Sequence, residues 1–268
     1  MDIYRAFRRN GCESLVALKA IYKTAQPPLQ TPVEDCSIRQ LQERDPHMFF
    51  PRAAIKEMFA GEAGENMIQK ILECSCTQCK QQMKNLRRRP AEYNELIHAI
   101  VRNRQVFFAI LIYLESAHLV KFFSDGVPEI TDDNLEVNTW LSNYPNQAAE
   151  LPKGFAGSFM LAREHFRPPK FVIGEHTRRT RRYGDQCRFP YIRDSSLPYA
   201  YGSFGVVEKF TIHPDYVDPS VIKLIEKTML DNKAHSSQPV SVSPDFEPWH
   251  SLLFLLTLLI ASICPEDH

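Results

Sequence analysis

The stretch Pro90-Ala-Glu-Tyr-Asn-Glu-Leu-Ile-His-Ala-Ile-Val-Arg-Asn-Arg-Gln-Val-Phe-Phe-Ala-Ile-Leu-Ile-Tyr-Leu114 decides the fold class. Its apolar positions Leu96, Ile97, Ile100, Val101, Phe107, Phe108, Leu111 and Leu114 recur at spacings of three and four, the period of a helix with one face in a core. Pro90 can open such a helix, because a first-turn proline gives up an N–H that has no helical partner anyway. The pattern fits one long helix or two. Ser116 is placed to cap a further turn, Ala117 to Phe123, which Gly126 would close.

Working outward, the helical punctuation extends back to Ser37. Ser37-Ile-Arg-Gln40 has the spacing of a capping box, in which each side chain satisfies a free backbone amide of the other residue. Pro51 and Gly61 bracket a short predicted helix, Arg52 to Ala60, with Gly61 as the left-handed residue that ends it. Past Val127 the texture changes. Pro128, Pro145 and Pro152 interrupt the chain and the helical period fades until Phe155 to Phe166, so this region is expected to be a hinge. From Arg167 the apolar residues turn β-branched and aromatic, in Phe171-Val-Ile173, Phe189-Pro-Tyr-Ile192 and Phe204 to Ile212, and strands are expected there.

Composition narrows the function classes. The chain has 268 residues, 44% of them hydrophobic, which is enough for one good-sized core or two smaller ones. Lys plus Arg and Asp plus Glu each total 32, so the formal charge is zero and no global field draws the protein to nucleic acid or an anionic membrane. Seven cysteines, three of them within six residues, do not form a disulfide framework. No apolar run follows Arg5, Arg8 and Arg9, so a secretory signal is not expected and a reducing, cytoplasmic setting is.

Tyr199-Ala-Tyr-Gly-Ser-Phe-Gly-Val-Val207 has the pattern G-x-G-x-F-G-x-V, with Ala200 in place of the first glycine. This resembles the glycine-rich loop of a protein kinase, whose backbone amides approach the ATP phosphates closely because no Cβ stands in the way. Gly202, Phe204, Gly205 and Val207 match position by position, and Ser203 lies between them. The flanks extend the likeness. Phe166-Arg-Pro-Pro-Lys-Phe171, Arg188-Phe-Pro-Tyr-Ile192 and Ile212-His-Pro-Asp215 are similar to the phrases around this loop in a large group of fungal serine/threonine-kinase-like proteins. Arg104 to Gly126 is similar to the helical region upstream of their kinase domain.

The departures from that family bear most on function. A kinase holds the phosphates with a strand lysine and uses a catalytic-loop Asp with an Asn and an Asp for magnesium, all well downstream of the glycine loop. About sixty residues follow Val207, and no H-R-D-type loop occurs in the chain. Lys223, in Val221-Ile-Lys223, falls near the distance expected of the strand lysine, although Val221, Ile222, Leu224, Ile225 and Leu230 fit a helix at least as well. Asp245-Phe-Glu247 imitates D-F-G but has Glu for the glycine.

The resulting expectation is a mainly α chain. A helical N-terminal domain occupies 1–150, an incomplete β-rich kinase N-lobe fragment 151–217, a polar, proline-rich linker 218–248, and a hydrophobic C-terminal helix 249–268. Its expected role is that of a truncated, catalytically inactive kinase-like protein with weak or vestigial ATP binding at Gly202, Ser203, Phe204, Gly205, Val207 and Lys223. The helical region would bind a protein partner. The alternative is a fragment of an active ATP-dependent serine/threonine kinase.

Three further features stand outside the resemblance. Cys74-Ser-Cys-Thr-Gln-Cys79 is compact enough for Cys74, Cys76 and Cys79 to converge on zinc or copper(I). The fourth ligand is not evident in the sequence, with His98 the candidate if the next helix folds back, so three reduced cysteines ending a helix is the favoured reading. Thr177-Arg-Arg-Thr-Arg-Arg182 is the densest basic run and reads as a solvated loop, since no aromatic residues are interleaved for base stacking. Trp249 to Cys264 holds six leucines and no charge, yet sixteen residues at 1.5 Å each span only about 24 Å against a hydrocarbon core of about 30 Å. It reads as a buried helix or a short membrane anchor, the second making the protein membrane-associated.

Overall fold

The computed structural model describes residues 12–26, 48–76, 79, 90–123, 130–135, 137–171, 187–193, 200–202, 205–207, 210–224 and 227. Two compact units divide the chain. The first runs to Pro168 and takes in Asp185–Phe189, and the second comprises Pro169–Gly184 and the residues from Pro190 onward.

The first unit is helical. Its elements are α1 (Glu13–Lys23), α2 (Arg52–Met58), α3 (Gly61–Leu72), α4 (Pro90–Asn103), α5 (Gln105–Tyr113), a 3-10 segment (Ala117–Phe123), α6 (Val137–Asn143), α7 (Pro145–Ala148) and α8 (Phe155–Phe166). Every residue of α5, Gln-Val-Phe-Phe-Ala-Ile-Leu-Ile-Tyr, is buried. A helix apolar all round can only be stable in the middle of a core, and α1, α2, α4, α8 and the 3-10 segment pack around it. α1 presents Ala17, Leu18, Ile21 and Tyr22 to that core. Aromatic rings fill the gaps between helices: Phe50 stacks on Phe166 at 4.6 Å between centroids, and Phe123 lies 4.3 Å from Trp140.

Pro90 does open a helix, and the stripe after it is two helices, bent by 104° at Arg104. The apolar face from Leu96 to Leu111 is covered by the unit itself. Gly61 takes the left-handed backbone expected of it, with φ of 61°, but the next helix begins there directly, so α2 and α3 meet at a sharp corner. The region expected as a hinge is instead structural. α6 and α7 lie within it, and Ile130, Leu135, Val137 and Trp140 are buried in the main core. Helices of seven and four residues are too short to show a hydrophobic period, which is why the pattern faded there.

Among the described residues, the second unit has four strands of three residues each, in two antiparallel pairs. β1 (Tyr191–Arg193) pairs with β4 (Phe210–Ile212), and between them in sequence β2 (Ala200–Gly202) pairs with β3 (Gly205–Val207). Phe171 bridges to Val217, its N–H donating to the Tyr216 carbonyl at 2.7 Å and its carbonyl accepting from Asp218 at 2.9 Å. Residues 219–224 are helical, in the part of the chain expected to be linker, as the apolar spacing from Val221 also suggested. The Ser37–Gln40 box, Gly126, the Thr177–Arg182 run, the stretch 231–248 and the tail 249–268 lie outside the described residues. Among the described residues, no single helix is long and apolar enough to cross a membrane.

A four-thiol cluster and a glycine hairpin

The Cys74-x-Cys-x-x-Cys79 stretch follows α3, in the turn where the helix ends. Cys74 keeps a backbone bond to Ile71, Cys76 lies at a bend, and Cys79 is helical. What the sequence did not reveal is the residue that meets them. α1 packs against α3, and this brings Cys12, the residue just before the first turn of α1, onto the same spot. The Cys12 sulfur lies 3.7 Å from Cys76 Sγ, 3.9 Å from Cys74 Sγ and 3.9 Å from Cys79 Sγ. All four sulfurs fall within 4.8 Å of one another. Cys12, Cys74 and Cys79 are buried, Cys76 is half-buried, and Leu15 packs over them. The Ser14 hydroxyl stands 3.8 Å from Cys79 Sγ.

Electrostatics within the cluster are those of thiols crowded around one centre. Hydrogen bonding from Cys79 holds the Cys12 thiol down to about 5, against the opposing effect of burial, with the Leu15 amide at the helix start also favouring the thiolate. Cys79 is driven the other way, first as the donor in that bond and then by burial. Cys74 is raised chiefly by burial, while the amides of Cys76 and Glu13 favour its charged form.

His98, the fourth ligand considered from sequence, is not part of this group. It is exposed on α4 with Nδ1 4.0 Å from Glu65. Cys12 was missed because it stands 62 residues before Cys74, with no local spacing to link them. The one available hint was its position directly ahead of an amphipathic run, which places a side chain at a helix N-terminus.

Gly202, Gly205, Val207 and Lys223, singled out from the sequence, belong to the second unit. Gly202 stands opposite Gly205, Tyr201 opposite Val206 and Ala200 opposite Val207; Ser203 and Phe204, between the two glycines in sequence, lie outside the described residues. Lys223 is exposed on the helical 219–224 segment. Its segment is therefore not the strand from which a kinase lysine reaches the phosphates. Comparisons of the chain with protein-family models, with curated proteins and with solved structures find no match.

Proposed function

We propose that these residues form a kinase-related module without phosphotransfer activity, which acts by binding another protein through the helical unit. The observation that carries this reading is the register of the β2–β3 hairpin. Gly202 stands opposite Gly205, so neither carries a Cβ, as in the glycine-rich loop this stretch resembles, while the sequence supplies no catalytic-loop Asp and Lys223 is helical and exposed. Phosphoryl transfer depends almost wholly on positioning and on magnesium neutralising charge, so a hairpin without those groups has no means of catalysis. Because α5 is wholly enclosed, a partner would dock on the outer, polar faces of the helical unit.

The test is a phosphotransfer assay on the purified chain with ATP, magnesium and a generic protein substrate, run beside calorimetric titration with ATP. The expected result is no transfer and weak or no nucleotide binding. ATP-dependent phosphorylation that survives repurification would overturn the reading. Micromolar affinity that disappears in Gly202→Val would show that the hairpin binds nucleotide. The intact glycine register also favours a second reading, in which this stretch is part of an active serine/threonine kinase encoded by a longer transcript. Sequencing the transcript beyond the Asp215 codon separates the two.

A further inference from the structure

We propose that Cys12, Cys74, Cys76 and Cys79 bind one zinc ion as a closed tetrathiolate site that fastens α1 to the end of α3. The first argument is metric. Four thiolates at the zinc–sulfur bond length of about 2.3 Å sit at the corners of a tetrahedron whose edge is about 3.8 Å. The three separations from Cys12, at 3.7, 3.9 and 3.9 Å, are that edge. A disulfide would instead draw two sulfurs to about 2.05 Å and leave the others without a reason to converge. All four cysteines are free thiols.

The second argument is chemical. Among the described residues the ligand set is sulfur throughout, with no carboxylate or imidazole in the group, which selects a soft or borderline ion and disfavours magnesium and calcium. All four tetrahedral positions are taken by protein, so the site is structural rather than catalytic. The surroundings supply what a tetrathiolate of net charge −2 requires. The Ser14 hydroxyl stands 3.8 Å from Cys79 Sγ, and Leu15 packs against the cluster.

The third argument is topological. Cys12 and Cys74 are 62 residues apart, and α1 places Ala17, Leu18, Ile21 and Tyr22 in the main core. A metal joining these points ties the first helix to the body of the unit across a long stretch of chain. Binding energy at a site formed only in the folded state is folding energy, so the metal and the docking of α1 should be gained and lost together.

The experiment uses the full chain, purified under reducing conditions. Elemental analysis is expected to give one zinc per chain. Cobalt titration of the stripped protein is expected to saturate at one equivalent with the ligand-field spectrum of a tetrahedral cobalt tetrathiolate. Cys12→Ser should lose the four-sulfur spectrum and weaken zinc at least tenfold in competition with a chromophoric chelator, whereas Cys187→Ser should bind as the wild type does. Since Cys12→Ser risks misfolding, alkylation of the wild-type chain read by mass spectrometry provides an independent check. Zinc should slow modification of Cys12, Cys74, Cys76 and Cys79 together and leave Cys187 unaffected. Failure to bind zinc or cobalt at one equivalent would overturn the proposal. So would unaltered binding in Cys12→Ser, protection of Cys74, Cys76 and Cys79 without Cys12, or an iron–sulfur absorption spectrum from the purified protein.

Discussion

The carboxylate of Asp132 accepts the backbone N–H of Phe107 at 3.0 Å, capping the first turn of α5 from a loop 25 residues downstream. The helix needs this because Arg104, at its own N-cap position, makes no side-chain cap and instead donates to the Phe123 carbonyl at 2.8 Å. The backbone of Asp132 is fixed in turn by donation to the Asn103 carbonyl at 2.7 Å. At the 104° break between α4 and α5, the Phe107 amide and the Asn103 carbonyl are therefore both paired through Asp132.

Asp132→Ala should cost roughly 1 to 3 kcal/mol by leaving buried amides without an acceptor, seen as a lower urea midpoint at unchanged slope. Asp132→Asn, which keeps an acceptor oxygen, should cost less. Burial raises the Asp132 carboxyl above its ordinary value, although the Phe107 and Val106 amides pull it back. A raised acid binds its proton more tightly when folded, so its contribution is largest at low pH and is lost as pH rises through the folded value. The asparagine variant should lack that loss above about pH 4. Equal pH profiles for the two proteins would refute this assignment.

Gly64 is the site of a packing test. Replacing a helical glycine by alanine ordinarily stabilises by about 1 kcal/mol. Here an added Cβ would lie 2.2 Å from the carbonyl carbon of Phe59 and 2.4 Å from its oxygen. The Phe59 ring is locked edge-on against Phe108, so the backbone at the α2–α3 corner has little room to retreat. Gly64→Ala is expected to destabilise by about 1 to 3 kcal/mol, and a variant that melts higher than wild type would show that the corner is not tightly packed.

His118 predicts an acid limb. Burial, with Lys121 adding to it, lowers its imidazole from 6.5 to about 4. His165 is lowered too, chiefly by burial, against the hydrogen bond of Nδ1 to the Met48 carbonyl. A depressed base contributes its full stability above pH 6.5, and the contribution drains away as pH falls toward 4 because the unfolded chain takes up the proton first. In urea unfolding across this range, His118→Gln should lose less stability than the wild type. Comparing the two chains cancels the protonation of the cysteine cluster, and parallel curves would show that His118 does not titrate with folding.

Residues 249–264 supply a separate experiment. Burying a leucine is worth roughly 1.5 to 3 kcal/mol, so six of them are a strong drive toward a membrane or an apolar surface. A 1–248 chain is expected to be more soluble and no longer to float with phosphatidylcholine vesicles, with the melting temperature unchanged. A fall of several degrees would mean that the tail packs against the folded part.

What the sequence determined by itself was local. The Leu96–Leu114 period, Pro90 at a helix start and the left-handed Gly61 were all legible, because each depends on neighbours within a few residues. Only the tertiary structure decided the rest. It split the long stripe at Arg104, where Asp132 caps the second helix, and it drew the proline-broken region into the core through Trp140. It also supplied Cys12 to Cys74, Cys76 and Cys79, turning an incomplete ligand set into a four-sulfur cluster. No spacing rule reaches across 62 residues. That contact exists because the apolar face of α1 must be buried and α3 lies beside it, so hydrophobic packing, not sequence proximity, assembled the site.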